Sequence, residues 1–358
     1  MALAAIVSIT QLASAHPGEV FDKRAHLEEM TRHHVVAEVN SRALQACSEQ
    51  PEVRARREQA IARRAATFER LRQERNLADG SADFRKWNAL DHNKTGLVAY
   101  DPSTPAKEIF GANASCILAP DNANGPYFVS QELIRQNISE GIPGIPMHLE
   151  LQFIDINTCQ PANVLIDTWS CNSTGKYSGV SARGQGGLHS TFLRGVQKTD
   201  ADGVVRFDTN FPGHYEFRAT HQHIVAHVGS QVLPNGTYAG GVVAHLSQLF
   251  FDQDLRDAIE ALPPYATNRI AKTTNMADGF GGYASSSAYD PFLNYAVLGS
   301  DVSSGLFAWH ELGINMSSNW NTYATYASIW AEGGGRDNPA FNFSVVGTPP
   351  PSSGGMLV

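Results

Sequence analysis

The hydrophobic positions of this chain follow two different periods, one before about residue 76 and another after about residue 116. Over residues 18–49 and 52–76, apolar residues recur at intervals typical of one helix face, which predicts two helices separated by Pro51. Further along, short runs rich in β-branched and aromatic residues alternate with turn residues, which predicts strands. These runs are 148–156, 162–169, 203–207, 215–218, 221–228 and 246–251.

Several short strands with frequent turns are typical of a sandwich, so we predict a mostly-β fold with a β-sandwich core at 116–260. A helical segment at 16–79 and a linker at 80–115 without clear periodicity precede this core. The C-terminal region at 261–358 is predicted to be irregular, and its Pro/Ser/Gly-rich end to be disordered.

Residues 1–15 have the pattern of a signal peptide, because an apolar stretch ends in the small-x-small sequence Ala13-Ser14-Ala15. A short buried helix is the alternative, since no Lys or Arg lies near Met1. Seven Asn-x-Ser/Thr sequons agree with a secreted, extracellular glycoprotein. They begin at Asn93, Asn113, Asn137, Asn172, Asn235, Asn315 and Asn342.

The chain has four cysteines, Cys47, Cys116, Cys159 and Cys171, which permit two disulfides outside the cytosol. If 148–156 and 162–169 form a hairpin, Cys159 lies at its turn and Cys171 at its open end. They would then be ~25 Å apart, well beyond the ~7 Å between disulfide Cα atoms. This disfavours a Cys159–Cys171 bridge and leaves the other two pairings open.

The second helical segment carries eight arginines against four glutamates. A solvated helix face, a basic binding surface, a pro-segment released at Lys23-Arg24 and a homodimer interface are open alternatives for the N-terminal helices. The net charge of −8 argues against nucleic acid or an anionic membrane as a partner. After the signal peptide, no apolar run reaches the ~18 residues of a membrane span.

The segment 211–228 carries the candidate metal chemistry. His221 and His223 lie two apart on a predicted strand, so both imidazoles face one side while Gln222 faces the other. Tyr215 precedes them after a Pro-Gly turn, and Tyr177 lies in a polar loop upstream. Phenolate is a hard anionic donor, so two imidazoles with two phenolates favour Fe(III) over Zn(II).

The region from about 116 to 252 resembles the intradiol ring-cleavage dioxygenases, especially secreted fungal-type members. The matching pieces occur in the family order. They are Gly125-Pro126-Tyr127, Gly144-Ile145-Pro146, Asp155, Cys159, Pro161, Asp167-Thr168-Trp169, Gly175-Lys176-Tyr177-Ser178, Phe192-Leu193-Arg194-Gly195, Gln197, Thr199, Asp200, Gly203, Phe211-Pro212-Gly213-His214-Tyr215, Arg218-Ala219-Thr220-His221-Gln222-His223 and Gln248-Leu249-Phe250-Phe251. Gln222 departs from the family pattern, which usually has an apolar residue there.

The resemblance implies Fe(III) bound by Tyr177, Tyr215, His221 and His223. It also implies that Tyr215 leaves the metal and accepts a substrate proton. Arg218 would stabilise negative charge on the substrate, and Gln248 would lie near the bound diol. The implied reaction opens catechol-type aromatic diols between the two hydroxyl-bearing carbons with O2, giving muconate-type diacids. Two alternatives stay open: a metal-free binding module, and a copper oxygenase that uses His16 as its first residue after cleavage.

Overall fold

The computed structural model describes residue 47 and residues 50–74, 115–117, 124–278, 291–299 and 301–341. Several predictions lie outside the described residues: the signal peptide 1–15, the helix at 18–49 apart from Cys47, nearly all of the linker 80–115, the C-terminal end, and His16. Within the described residues the mostly-β fold class is confirmed. None of the helices found there has the length and apolar character needed to cross a membrane.

The described helices are α1 (Pro51–Glu74) and α2 (Gln253–Glu260), with short 3-10 turns at Tyr265–Thr267, Asn275–Ala277 and Val302–Ser304. The described strands are β1 (Ser115–Ile117), β2 (Val129–Ser130), β3 (Pro146–Asp155), β4 (Gln160–Pro161), β5 (Leu165–Trp169), β6 (Arg194–Lys198), β7 (Val204–Asn210), β8 (His221–Val228), β9 (Gln231–Val232), β10 (Tyr238–Ala239), β11 (Val242–Phe250), β12 (Asn294–Val297), β13 (Leu306–Ile314), β14 (Ser328–Ile329) and β15 (Arg336–Asp337).

Two main sheets form the sandwich. In the first sheet, β13 runs parallel to both β1 and β3, while β12, β4 and β7 join antiparallel. The second sheet is antiparallel with the order β11-β8-β5-β6. Leu149, Leu151 and Phe153 of the first sheet share one buried core with Ile224 and Ala226 of the second. The apolar faces of the two sheets therefore pack against each other, as a sandwich requires.

Strand β8 is buried on both of its faces. Ile224 and Ala226 point between the sheets, whereas Val225 joins a separate cluster that contains Trp169, Tyr177 and Tyr215. Because side chains alternate along a strand, His221 and His223 share the face of Val225. This outer face of the second sheet carries the candidate site. Side chains from 320–341, including Trp320 and Trp330, pack against the same cluster.

Helix α1 covers the outer face of the first sheet. Phe68 and Leu71 pack with Phe307 and Trp309 of β13. Several arginines of the helix also face the sheet: Arg63 and Arg64 donate to the fully buried carboxylate of Glu150 at 3.4 and 3.1 Å. In addition, Arg57 lies 3.2 Å from Glu311 and Arg56 donates to the carbonyl of Cys159. Part of the basic character of this helix therefore serves attachment to the sheet.

Replacing Glu150 with glutamine is expected to destabilise the fold by ~3–5 kcal/mol, because breaking a buried ion pair leaves uncompensated charge. Glu150 also accepts from Arg206 at 3.2 Å, so three arginines lose their shared carboxylate. Urea unfolding should show this loss. Asp200→Asn is the control, because the half-exposed Asp200 pairs with the same Arg206 at 3.2 Å. It should cost less than ~1 kcal/mol, and an equal loss in both variants would contradict the prediction.

The hairpin considered for 148–156 with 162–169 does not form. Strand β3 pairs with the two-residue strand β4, after which the chain crosses to the second sheet and forms β5 between β8 and β6. Although that hairpin does not form, the described cysteines contain no Cys159–Cys171 disulfide, as expected. Cys159 is bonded to Cys47, with a Cα–Cα distance of 5.2 Å, and Cys171 is a buried free thiol. The disulfide fixes the start of α1 to the edge of the first sheet.

The sandwich extends beyond the core boundary predicted at residue 260. Strand β13 is central to the first sheet, since it pairs with β3 over the full register from Leu306↔Met147 to Ile314↔Asp155. Every residue of β13 is buried. The rest of the described C-terminal region has little regular structure, and its short strands β14 and β15 extend β2.

Candidate metal centre

The two histidines of β8 present their Nε2 atoms to one another. The Nδ1 atom of His221 lies 2.7 Å from the carbonyl oxygen of Ala219, which can only accept a hydrogen bond. The ring proton of neutral His221 is therefore on Nδ1, and the lone pair is on Nε2. This Nε2 lies 3.0 Å from Nε2 of His223. The ring of His223 stacks on Trp169 with centroids 4.6 Å apart, which fixes its orientation.

The two tyrosines come from separate loops that approach closely at two glycines. Gly175 has φ +79°, and a Cβ there would lie 2.5 Å from the carbonyl oxygen of His214. A Cβ at Gly213 would lie 2.3 Å from the carbonyl oxygen of Asn172. Both positions require glycine, because these contacts leave no room for a side chain. The glycines thereby let the Tyr177 loop and the Tyr215 loop pack against each other.

The tyrosine rings join the histidines in one buried cluster. Tyr177 is fully buried, and its ring centroid lies 5.3 Å from that of Tyr215 and 6.2 Å from that of His223. The hydroxyl of Tyr215 lies 3.4 Å from Nε2 of His221. The buried hydroxyl of Tyr177 has no hydrogen-bond partner of normal geometry within the described part of the chain. Such an atom in a polar cluster calls for a further ligand, because an unpaired buried hydroxyl is costly.

Burial keeps both phenols protonated in the absence of a cation. It raises the pKa of Tyr177 well above its ordinary value, and the fields of Tyr215 and Cys171 add to the effect. Burial likewise raises the pKa of Tyr215, although Arg218 opposes the shift. A bound cation would reverse these shifts, since it favours the phenolate form.

Arg218 is the fully buried cation beside the cluster. Its Nη1 donates to the hydroxyl of Tyr215 at 3.4 Å, and its Nη2 donates to Oε1 of Gln248. Asp278 holds the other side of the guanidinium, with Oδ2 3.0 Å from Nε, and also accepts from the Ala219 N–H at 2.6 Å. Burial lowers the pKa of Arg218, but Asp278 and Tyr215 more than offset this and raise it overall. The guanidinium is therefore charged and held in one orientation.

The donor set of this cluster fits a ferric ion. The Tyr215 hydroxyl and the two imidazole Nε2 atoms converge, and the Tyr177 ring packs against Tyr215 and His223. His221 also has the outer hydrogen bond to a carbonyl that is usual for a metal-bound histidine. Within the described residues, no group of three or more His, Cys, Asp and Glu side chains is suited to hold a metal ion. The tyrosines add phenolate oxygens to the two imidazoles, and such hard anionic donors suit iron.

All six candidate site residues predicted from the sequence lie in this cluster. Tyr177, Tyr215, His221 and His223 surround its centre, while Arg218 and Gln248 form one side. Gln248 is opposite His223 in the β11–β8 register, and its buried Nε2 lacks a partner within the described residues. Gln222 faces away, as strand alternation predicts, and donates to Thr168 Oγ1 at 2.7 Å.

Three contributors to the cluster were given no role in the sequence prediction. Tyr127 stacks on Tyr177 with centroids 4.6 Å apart, and Trp169 stacks on His223. Both belong to motifs of the family resemblance, which was the signal that could have identified them. Asp278 had no such signal, because it follows a single 3-10 turn in a stretch without periodicity.

With a catechol, the substrate class that the family resemblance implies, replacing Asp278 with asparagine is expected to lower kcat/KM by ~100-fold. Small misplacements of a positioned group have effects of this size. Stability should fall as well, since the buried Arg218 loses its counter-charge. Asp208→Asn is the matched control: Asp208 pairs with His148 at 2.6 Å on the first sheet, away from the site. Its kcat/KM should equal that of wild type, and a similar loss there would contradict the role of Asp278.

The other histidines near β8 serve separate contacts. His214 lies 3.0 Å from Glu260, and His227 lies 3.3 Å from the hydroxyl of Tyr238. His245 accepts from the Asn315 N–H, and burial lowers its pKa to about 3. Asp200 accepts from the N–H groups of Asp202 and Val204, as a turn residue does.

Comparisons with known proteins show which proteins this chain is similar to. Residues 120–256 match a family model described as dioxygenase. An intradiol ring-cleavage dioxygenase from Tetranychus urticae is 31% identical, over 60% of this chain and 100% of that protein, with a TM-score of 0.48. The dioxygenase domain of a carbohydrate-binding fusion from Streptomyces sp. SirexAA-E is 22% identical, over 55% of this chain and 98% of that one, with a TM-score of 0.36.

Catechol 1,2-dioxygenase from Pseudomonas arvilla is 18% identical, over 59% of this chain and 64% of that protein, with a TM-score of 0.36. A search of curated proteins gave no match. The 31% identity extends over the full length of the Tetranychus urticae protein. The residues matched by the family model, 120–256, include the six candidate site residues.

Proposed function

Because this chain belongs to the intradiol ring-cleavage dioxygenases, we propose that it is a non-haem Fe(III) dioxygenase acting on catechol-type aromatic diols. It would cleave the ring between the two hydroxyl-bearing carbons with O2 and release a muconate-type diacid. The observation that carries this proposal is the convergence of Tyr177, Tyr215, His221 and His223 in one buried cluster.

The four converging side chains would hold the iron. A bound ferric ion would supply an electron-accepting centre that binds the diol oxygens and activates the diol toward O2. His221 is fixed by the carbonyl of Ala219 and His223 by Trp169, so neither imidazole needs to reorient to bind. Such preorganisation reduces the cost of forming the site.

Tyr215 is the residue that we assign as the base. Burial raises the pKa of its phenol, so a phenolate released from a cation in this pocket has a high affinity for a proton. Its Oη would take that proton from the diol. Arg218 lies 3.4 Å from this oxygen and can stabilise the negative charge that the proton leaves on the substrate.

Gln248 supplies a neutral donor on the same side. Its Oε1 is held by Arg218, which leaves its buried Nε2 available to a substrate oxygen. The surrounding side chains are apolar or aromatic, among them Tyr127, Val225 and Leu246. They limit the access of water, so the charge of Arg218 acts in a medium of low dielectric constant.

The test uses the purified full chain. We expect about one iron per chain, a visible absorption band from the tyrosinates, and O2 consumption with catechol or hydroxyquinol. A copper oxygenase would be pale blue, and a metal-free binding module would be colourless. Zinc or no metal in several independent preparations would contradict the proposal.

Export to the extracellular space remains part of the proposal. It is supported by the Cys47–Cys159 disulfide, which is typical of oxidising compartments, and by the exposed sequon residues Asn137 and Asn235. We expect the mature protein to begin after Ala15 or Arg24 and to carry glycans, as mass spectrometry of the secreted form would show. An unglycosylated cytosolic protein that retains Met1 would exclude export.

A further inference from the structure

Arg194, the first residue of β6, is fully buried next to the loop that carries Tyr177. Its Nε and Nη2 donate to the main-chain oxygen of Ser178 at 3.0 and 2.8 Å, and Nε also lies 3.0 Å from the Ser178 hydroxyl. Ser178 directly follows Tyr177 in the chain. The guanidinium therefore restrains the backbone that orients the Tyr177 ring.

The charge of Arg194 also lies beside that ring. Its guanidinium carbon is 5.9 Å from the centroid of Tyr177, within the range of a cation–π contact. The carboxylate of Glu132 is too far from Arg194 for a hydrogen bond, since its Oε1 lies 4.0 Å from Nε. The Nη1 atom of Arg194 has no hydrogen-bond partner within the described residues. Burial raises the pKa of Glu132 to about 7, so its negative charge is incomplete at neutral pH. Within this buried group, the guanidinium of Arg194 is the charge that contacts the Tyr177 ring.

We propose that Arg194 is a positioning residue for Tyr177, fixing its loop through Ser178 and placing a positive charge beside the ring. This inference rests on the proposed function, because Tyr177 acts there as an iron ligand. The two contributions are separable by substitution. Lysine retains the charge but cannot reproduce the planar fork that contacts Ser178, whereas methionine retains much of the apolar volume and loses both.

The sign of the charge effect follows from electrostatics. A tyrosinate bound to Fe(III) absorbs visible light by transferring an electron to the metal. A neighbouring cation stabilises the electrons of the phenolate and so raises the energy of that transfer. Removing the cation should move the band to longer wavelength, while loosening the loop should reduce iron retention.

The experiment loads the full chain with Fe(III) and compares Arg194→Met, Arg194→Lys and Arg64→Met with wild type. Arg64 is a matched control, since it is only 4% exposed and pairs with Glu150 on the first sheet. We expect Arg194→Met to have a band at longer wavelength and less iron after dialysis. Arg194→Lys should keep the wild-type wavelength and lose iron. Arg64→Met should lose stability and leave the band unchanged.

A second readout requires no metal. In iron-free protein labelled with 3-fluorotyrosine, the Tyr177 resonance (assigned with Tyr177→Phe) should shift or broaden in both Arg194 variants and not in Arg64→Met. The proposal is overturned if both Arg194 variants keep the wild-type resonance, or if Arg64→Met moves the resonance or the band equally. A wild-type protein without a visible band would contradict the ferric function instead, and the fluorine spectra would still test the role of Arg194.

Discussion

Replacing His221 or His223 with alanine is expected to remove bound iron while the sandwich stays folded. Each substitution deletes one of four protein donors, so the loss of affinity should exceed the 10–100-fold seen when only an outer partner of a ligand is changed. The cavity left at the outer face of β8 does not disturb Ile224 and Ala226, which pack between the sheets. Elemental analysis after dialysis against a weak chelator should find almost no iron in either variant.

Gln222→Ala is the matched control for the histidine variants. Gln222 lies between the two histidines on the same strand, but its amide donates to Thr168 on the opposite face. Losing this hydrogen bond should cost ~1 kcal/mol of stability and leave the iron content unchanged. If Gln222→Ala loses as much iron as the histidine variants, the assignment of the two faces of β8 is wrong.

Tyr177→Phe and Tyr215→Phe are expected to give opposite phenotypes. Tyr177 is fully buried between Tyr127 and the Arg194 contact, and we expect it to stay on the metal through the cycle. Its loss should shift the visible band and impair iron retention. The hydroxyl of Tyr215 accepts a hydrogen bond from Arg218 at 3.4 Å, and we expect this phenol to leave the metal when the diol binds. Its loss should preserve more iron but slow the binding of the diol, because no base remains to take the substrate proton.

Stopped-flow absorbance with catechol under anaerobic conditions separates these roles. Tyr215→Phe should form the diol complex more slowly than wild type, while Tyr177→Phe is compared at equal iron content. If Tyr215→Phe forms the complex at the wild-type rate and Tyr177→Phe does not, the two roles are reversed. If neither variant alters the visible spectrum, the tyrosines are not ligands.

The order of motifs along the chain predicted six residues that the structure brings into one cluster, but not the roles of Tyr127, Trp169 and Asp278. Strand alternation alone placed His221 and His223 on one face and Gln222 on the other, because the side-chain period of a strand is two. The two tyrosines, Arg218 and Gln248 were identified through the family resemblance, and the structure brings them to the same cluster. The direction in which a strand residue points and the identity of a motif residue both follow from a few neighbouring residues, so they can be read from the sequence.

Strand partners were decided only by the tertiary structure. Residues 162–169 have the same alternation whether they pair with β3 or with β8, and the structure places β5 beside β8. Residues 306–314 form the strand at the centre of the first sheet, although the sequence prediction placed them in an irregular region. Periodicity states which residues share a face, but it contains no information on which strand lies alongside.

The contacts that complete the site were likewise decided by packing between distant segments. Asp278 reaches Arg218 across 60 residues, and Cys47 reaches Cys159 across 112. The ion pair between Arg64 of α1 and the buried Glu150 likewise joins residues that are 86 positions apart in the sequence. The sequence by itself determined the fold class and the candidate ligands, because these follow from local periodicity and motif. Only the tertiary structure decided which charged side chains form ion pairs. Such pairs join segments that are distant in sequence, and the local pattern of one segment does not specify its partner.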